Sequence, residues 1–162
     1  MKKFIAVLVE NRPGVLARVS SLFRRRGFNI ESLSVGTTER EDISRMTIAV
    51  NGDERTVEQV VKQLNKLIEV IKVSDVTDNS VQRELALVKV NASPDKRGEI
   101  IEIANIFRAR IVDVARDSFI IEITGDEEKI SAFIDLMRQY GIKEVARTGV
   151  VSMVRGSKVI SV

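Results

Sequence analysis

The chain has no cysteine, no histidine and no tryptophan among its 162 residues. Without Cys and His it can build no disulfide frame, Cys/His zinc site, thiolate nucleophile, Ser-His-Asp triad or imidazole general base. Carboxylate, Lys, Ser/Thr and Tyr chemistry survive that exclusion. Long apolar runs are missing too: nothing approaches the roughly 18 to 20 residues that span a bilayer. Met1-Lys2-Lys3 leads straight into a short apolar strand with no signal-peptide core, so the expectation is a cytoplasmic protein with no membrane partner. Charge of one sign is also scarce. Lys plus Arg number 26 against 23 Asp plus Glu, a net +3, too little for a dense nucleic-acid footprint.

What is present is a soluble composition, 44% hydrophobic and 30% charged, of a length that allows one ordinary domain or two small ones. Residues 3–10 (KFIAVLVE) form a nearly unbroken apolar run that predicts a strand covered on both faces. Pro13 marks the first turn of a helix carrying Val15, Leu16, Val19, Leu22 and Phe23 at helical spacing, closed by Gly27 after the cations 24–26. Residues 29–37 and 44–51 alternate as a hairpin, 54–67 predict a second helix, and 70–76 a fourth strand. After the polar stretch 78–83, read as a linker, the same order recurs: strand 84–91, helix 97–107, hairpin 109–115 and 118–124, helix 126–139, strand 142–151. The expected fold class is therefore α+β, two ferredoxin-like βαββαβ domains, over 1–77 and 84–162.

Each half is small for a self-sufficient core. In the first strand Phe4, Ala6 and Leu8 face one way and Ile5, Val7 and Val9 the other, so neither face suits water. The helices cover one face. The second is expected to be covered by another copy of the chain, or by the other half.

The first strand-to-helix turn, residues 10–16 (ENRPGVL), carries the most chemical information. Asn11 or a neighbour can cap the helix, Pro13 lacks the amide that would be orphaned there, and Gly14 permits close approach of a ligand to the backbone. Free amides at a helix start attract a small anion such as an amino-acid carboxylate, although Asn and Pro are also ordinary helix punctuation. The Arg24-Arg25-Arg26 run reads as a solvated helix end. The third strand, RMTIAV, has no aromatic to stack a base, which argues against RNA binding. Arg12 and Asn29 superficially suit an acylphosphatase-like enzyme, but the loop is not the glycine-rich cradle that phosphate would need.

The stretch Val9 to Val19 (VENRPGVLARV) resembles the opening of ACT domains, which are amino-acid-sensing modules. Together with 26–33 (RGFNIESL), 44–48 (SRMTI), 63–67 (QLNKL), 87–90 (LVKV) and 145–149 (VARTG), it makes the whole chain similar to the small regulatory subunits of acetolactate (acetohydroxyacid) synthase. The resemblance implies a subunit with no catalysis of its own and no cofactor. It would stimulate a large catalytic subunit that carries thiamine diphosphate, Mg²⁺ and FAD, and mediate feedback inhibition by valine in branched-chain amino-acid biosynthesis. A stand-alone ACT regulator of another enzyme is the alternative. The resemblance also implies an ACT-mediated homodimer with effector between subunits: Asn11, Gly14, Val15 and Leu16 from one, Asn29 and Ile30 from its mate. The amides near Gly14, Val15 and Leu16 would take the carboxylate, the two Asn oxygens the ammonium, and Ile30 the aliphatic chain.

Overall fold

The computed structural model describes residues 2–160. They form two compact units, one made of residues 2–81 with 150–160 and the other of residues 82–149.

In the first unit β1 (Lys2–Glu10), α1 (Val15–Arg26), β2 (Ile30–Thr37), β3 (Ile43–Asn51), α2 (Glu54–Leu64) and β4 (Val70–Asp75) follow in order. The sheet is antiparallel with strand order β2-β3-β1-β4, so β1 is central and β2 and β4 are edges. Period-2 alternation sends Ile5, Val7 and Val9 into a core with Met46, Ile48 and Val50 of β3 and the apolar stripes of both helices, Val15, Val19, Leu22 and Phe23 from α1 and Val57, Val60 and Leu64 from α2. Gly27, at φ 70°, ends α1 in the left-handed region. The Phe28 N–H then reaches back to Phe23 O at 3.1 Å while their rings meet edge to face at 5.8 Å, so polar and apolar contacts close the helix together. Asp53 starts α2 by accepting from the Thr56 N–H at 3.0 Å.

The second unit repeats the order with β5 (Ser80–Asn91), α3 (Arg97–Ile106), β6 (Arg110–Val114), β7 (Ser118–Gly125), α4 (Glu127–Met137) and β8 (Ile142–Arg147), in strand order β6-β7-β5-β8. Val88, Val90, Ile121 and Ile123 of its sheet meet Ile100, Ile130, Phe133 and Met137 of its helices in one core. Arg147 holds the buried Glu84 carboxylate in a fork at 2.6 and 3.0 Å, which raises the Arg147 pKa, chiefly through that hydrogen bond. The fold class read from the sequence, α+β with two ferredoxin-like βαββαβ halves, is the one observed.

Three details differ from the sequence reading, and a fourth decides between the two alternatives it left open. Ser80 to Arg83, read as linker, already belong to β5. The closing strand is not continuous to residue 151: β8 ends at Arg147, Gly149 turns the chain at φ 85°, and a separate β9 (Val151–Val154) follows. Pro13 lies outside α1, two residues before its first helical residue. The fourth concerns the sheet face away from the helices. Phe4, Ala6, Ala49 and Val76 on that face are buried with Val150, and Val154 and Ile160 pack against them, so the chain's own last segment supplies cover. Polar bonds fix that segment: Ser152 Oγ donates to Val76 O at 2.7 Å, Arg45 Nη2 to Ser152 O at 2.6 Å, and the Arg155 N–H to Asn79 O at 2.9 Å. No helix among the described residues is long and apolar enough to cross a membrane.

Candidate functional site

The turn between β1 and α1 is held from three sides. The Asn11 N–H donates to Asp42 O at 2.9 Å, and its side-chain Nδ2 donates to Glu41 O at 2.8 Å, so the β2–β3 turn fixes both the backbone and the amide of Asn11. Asp42 is in turn clamped by Arg40, whose hydrogen bond to the carboxylate lowers the Asp42 pKa. The Glu10 N–H donates to Glu69 O at 2.9 Å, tying the end of β1 to the residue just before β4. Arg18, one turn into α1, pairs through Nε with Glu69 Oε2 at 2.9 Å, and Glu69 is almost wholly buried. The loop that carries Asn11 is therefore rigidly supported, even though Asn11, Arg12, Pro13 and Gly14 are exposed.

Gly14 is the N-cap of α1, at φ 87° and ψ −11°, with no side-chain cap bond. The expectation that Asn11 or a near neighbour caps the helix by its side chain is thus corrected: α1 has no side-chain cap, Asn11 Nδ2 is spent on Glu41 O, and Oδ1 remains as an acceptor. A helix without a side-chain cap keeps its first amides available. The Val15 N–H reaches only Arg12 O at 3.4 Å, and the N–H groups of Gly14 and Leu16 have no acceptor among the described residues. Gly14 takes up the left-handed backbone that a residue with a side chain rarely adopts, and nothing lies within 4 Å of where a Cβ would sit, so the backbone there is open to close approach. Val15 points its side chain into the core, whereas Leu16 is 45% exposed beside the turn.

Asn29 and Ile30 are not at this turn. Asn29 is exposed just before β2, and Ile30 opens β2, half-buried against the unit's own core. The twelve residues of α1 separate the two groups, a rise of roughly 18 Å along the helix. One copy of the chain therefore brings Asn11, Gly14, Val15 and Leu16 together and leaves Asn29 and Ile30 at the other end of the same helix. Ile30 opens β2, an edge strand of its sheet. The sequence reading missed the supports, Glu41, Asp42 and the Arg18–Glu69 pair. They join residues 30 to 51 positions apart, and no local pattern marks them.

Residues 5–72 match the family model for the ACT domain of acetohydroxyacid synthase small-subunit type, and residues 83–156 match the model for the small subunit of acetolactate synthase. A probable acetolactate synthase small subunit of Archaeoglobus fulgidus is 77% identical over 158 residues, covering 98% of this chain and 99% of that protein. The acetolactate synthase small subunit of Mycolicibacterium smegmatis is 58% identical over 155 residues, covering 95% and 91%. Among solved structures, the small subunit from Thermotoga maritima superposes with a TM-score of 0.91 at 46% identity, covering 98% of this chain and 99% of that one.

Proposed function

The chain belongs to the acetolactate synthase small-subunit family, and on that premise we propose that it is a regulatory partner without catalysis of its own. It stimulates a large catalytic subunit, to which the thiamine diphosphate, Mg²⁺ and FAD belong, and it imposes feedback inhibition by valine. The observation that carries this reading is the start of α1 behind Gly14, without a side-chain cap, with amides at Gly14 and Leu16 that have no acceptor among the described residues and an acceptor at Asn11 Oδ1 within one braced turn. That set matches the two ends of an amino acid: amides for a carboxylate, a carbonyl oxygen for an ammonium. Leu16, exposed beside it, offers an aliphatic surface.

The complement at Asn29 and Ile30 comes from a second copy, because the length of α1 keeps a single chain from closing on one small ligand. In the resulting homodimer valine bridges two subunits. A bridging ligand stabilises the pairing geometry it fits, and it changes activity only as far as its affinity differs between the two geometries. The test is synthase activity of the large subunit with and without this chain across a valine titration. Stimulation that valine reverses is the expected result; a chain that neither raises activity nor confers valine sensitivity would overturn the reading.

A further inference from the structure

Arg45 is unused by the turn and is held in an unusual way. It sits on β3, opposite Leu8 on β1 and Gly36 on β2, and points to the face covered by the last segment of the chain. Its guanidinium is partly buried, yet only one bond is made, from Nη2 to the Ser152 carbonyl at 2.6 Å. A guanidinium has five N–H donors, and no carboxylate pairs with this one among the described residues. Charged groups withdrawn from water are normally paired. Burial draws the Arg45 pKa below that of a free guanidinium, as befits a cation lacking its counter-ion.

Beside Arg45 the space is open. Two adjoining cavities of about 370 and 340 Å³ share Glu39, Arg45, Met153 and Ile160 as lining, the first extending to Val76 and Lys158, the second to Leu8 and Thr38. Gly36, cross-strand from Arg45 on the same face, contributes no side chain, and nothing lies within 4 Å of its absent Cβ. The walls are largely apolar, the cations are Arg45, Lys158 and, in the second cavity, Arg40, which is paired with Asp42, and the single lining carboxylate is Glu39.

We propose that this groove, formed by β3 and the returning residues 150–160, binds a small aliphatic carboxylate, with its carboxylate on the Arg45 fork and its hydrocarbon against Val76, Met153 and Ile160. A planar guanidinium matches a carboxylate bidentately. The apolar walls demand a hydrocarbon body, and Glu39 disfavours a dianion. The site stands apart from the Asn11 turn and does not depend on the regulatory reading.

The experiment titrates 3-methylbutanoate, which has the branched chain but no ammonium, into the full-length protein, by calorimetry and by amide and Arg Nε NMR shifts. Saturable binding that moves Arg45 Nε and the Ser152 amide is expected. Arg45→Met should weaken it about tenfold or more, the loss of a charge-assisted pair. Met153→Glu, which puts a carboxylate on the wall shared by both cavities and leaves Arg45 intact, should weaken it likewise; Met153 is exposed, so this variant remains informative if Arg45→Met folds poorly. Gly14→Asp, which repels a carboxylate from the start of α1, should not alter it. No saturation, affinity unaltered in Met153→Glu, loss in Gly14→Asp, or equal affinity for inorganic phosphate would each overturn the proposal.

Discussion

Replacing Gly14 by Asp separates the ligand's requirement from the fold's. A Cβ at this position meets nothing within 4 Å, so the cost to folding is conformational and not steric. A non-glycine residue at φ 87° costs about 1–2 kcal/mol, less for Asp, which tolerates the left-handed region better than most residues. A carboxylate at the start of a helix regains about 0.3–1 kcal/mol from the dipole. Folding stability should thus change by no more than about 1 kcal/mol. The effector is affected at least as much. Its carboxylate would sit roughly 4 Å from the new one, a repulsion of about 1 kcal/mol in bulk water and about 4 kcal/mol at the dielectric of a protein surface. Gly14 is exposed, so the lower end applies: about 1–2 kcal/mol, or roughly 5- to 30-fold in the valine concentration for half-inhibition. Gly14→Ala carries the strain without the charge and should shift that concentration less than about threefold. The assay is valine titration of the reconstituted synthase, with stimulation at zero valine as the internal control and urea unfolding to confirm the fold. A folded, stimulating Gly14→Asp protein with unaltered half-inhibition would refute the turn as the carboxylate site.

Asn29→His should weaken valine inhibition and spare stimulation. In mixed dimers of Gly14→Asp and Asn29→His chains one of the two sites carries both changes and the other neither, so co-refolded mixtures should recover part of the valine response; no recovery would argue against a shared site. Arg18→Met strands the buried Glu69 carboxylate and should lower stability by about 1–3 kcal/mol in urea unfolding, with Arg18→Met/Glu69→Leu recovering part of it; an unchanged midpoint in the single variant would show that the pair does not brace the turn. The Thr56 N–H bond holds the Asp53 pKa below 3.8. Its contribution is therefore fully present above pH 3.8 and lost as pH falls through the lower folded value, so Asp53→Asn, which caps without titrating, should flatten the acid limb of thermal stability. A fragment ending at Thr77 lacks the segment that covers Phe4, Ala6, Ala49 and Val76, and should bind a hydrophobic dye or aggregate where the full chain does not.

The sequence exposes what is local. The stripe Val15, Val19, Leu22 and Phe23, the stop at Gly27 and the alternation of β1 were all readable, because helix and strand periods depend on neighbours in the chain. Asn11, Gly14, Val15 and Leu16 were also readable as a cluster, since one turn carries them. Their orientation was not. Whether Asn11 caps α1 depends on Glu41, thirty residues away, whose carbonyl takes the Asn11 side-chain Nδ2. The end of the chain was misassigned for the same reason. Residues 142–151 read as one strand because Val145, Val150 and Val151 are all strand formers, but Gly149 breaks it, and the following residues pack on Phe4 and Ala6, about 145 positions earlier.

The length of α1 gives the regulatory reading its mechanical content. A helix of twelve residues keeps its start and the start of β2 roughly 18 Å apart, and Val19 and Phe23 anchor it in the core. A ligand the size of valine cannot span that distance within one chain, so any affinity it gains from both ends must come from how two chains are registered. On the proposed reading, effector binding would thereby become control of the spacing between copies, with no movement needed inside either copy. Driving such a pairing from 1:99 to 99:1 needs about 10⁴-fold discrimination between registers. Contacts at only one end would be made equally well in both registers and would shift nothing, so in the proposed homodimer the discrimination would have to come from the second copy's Asn29 and Ile30.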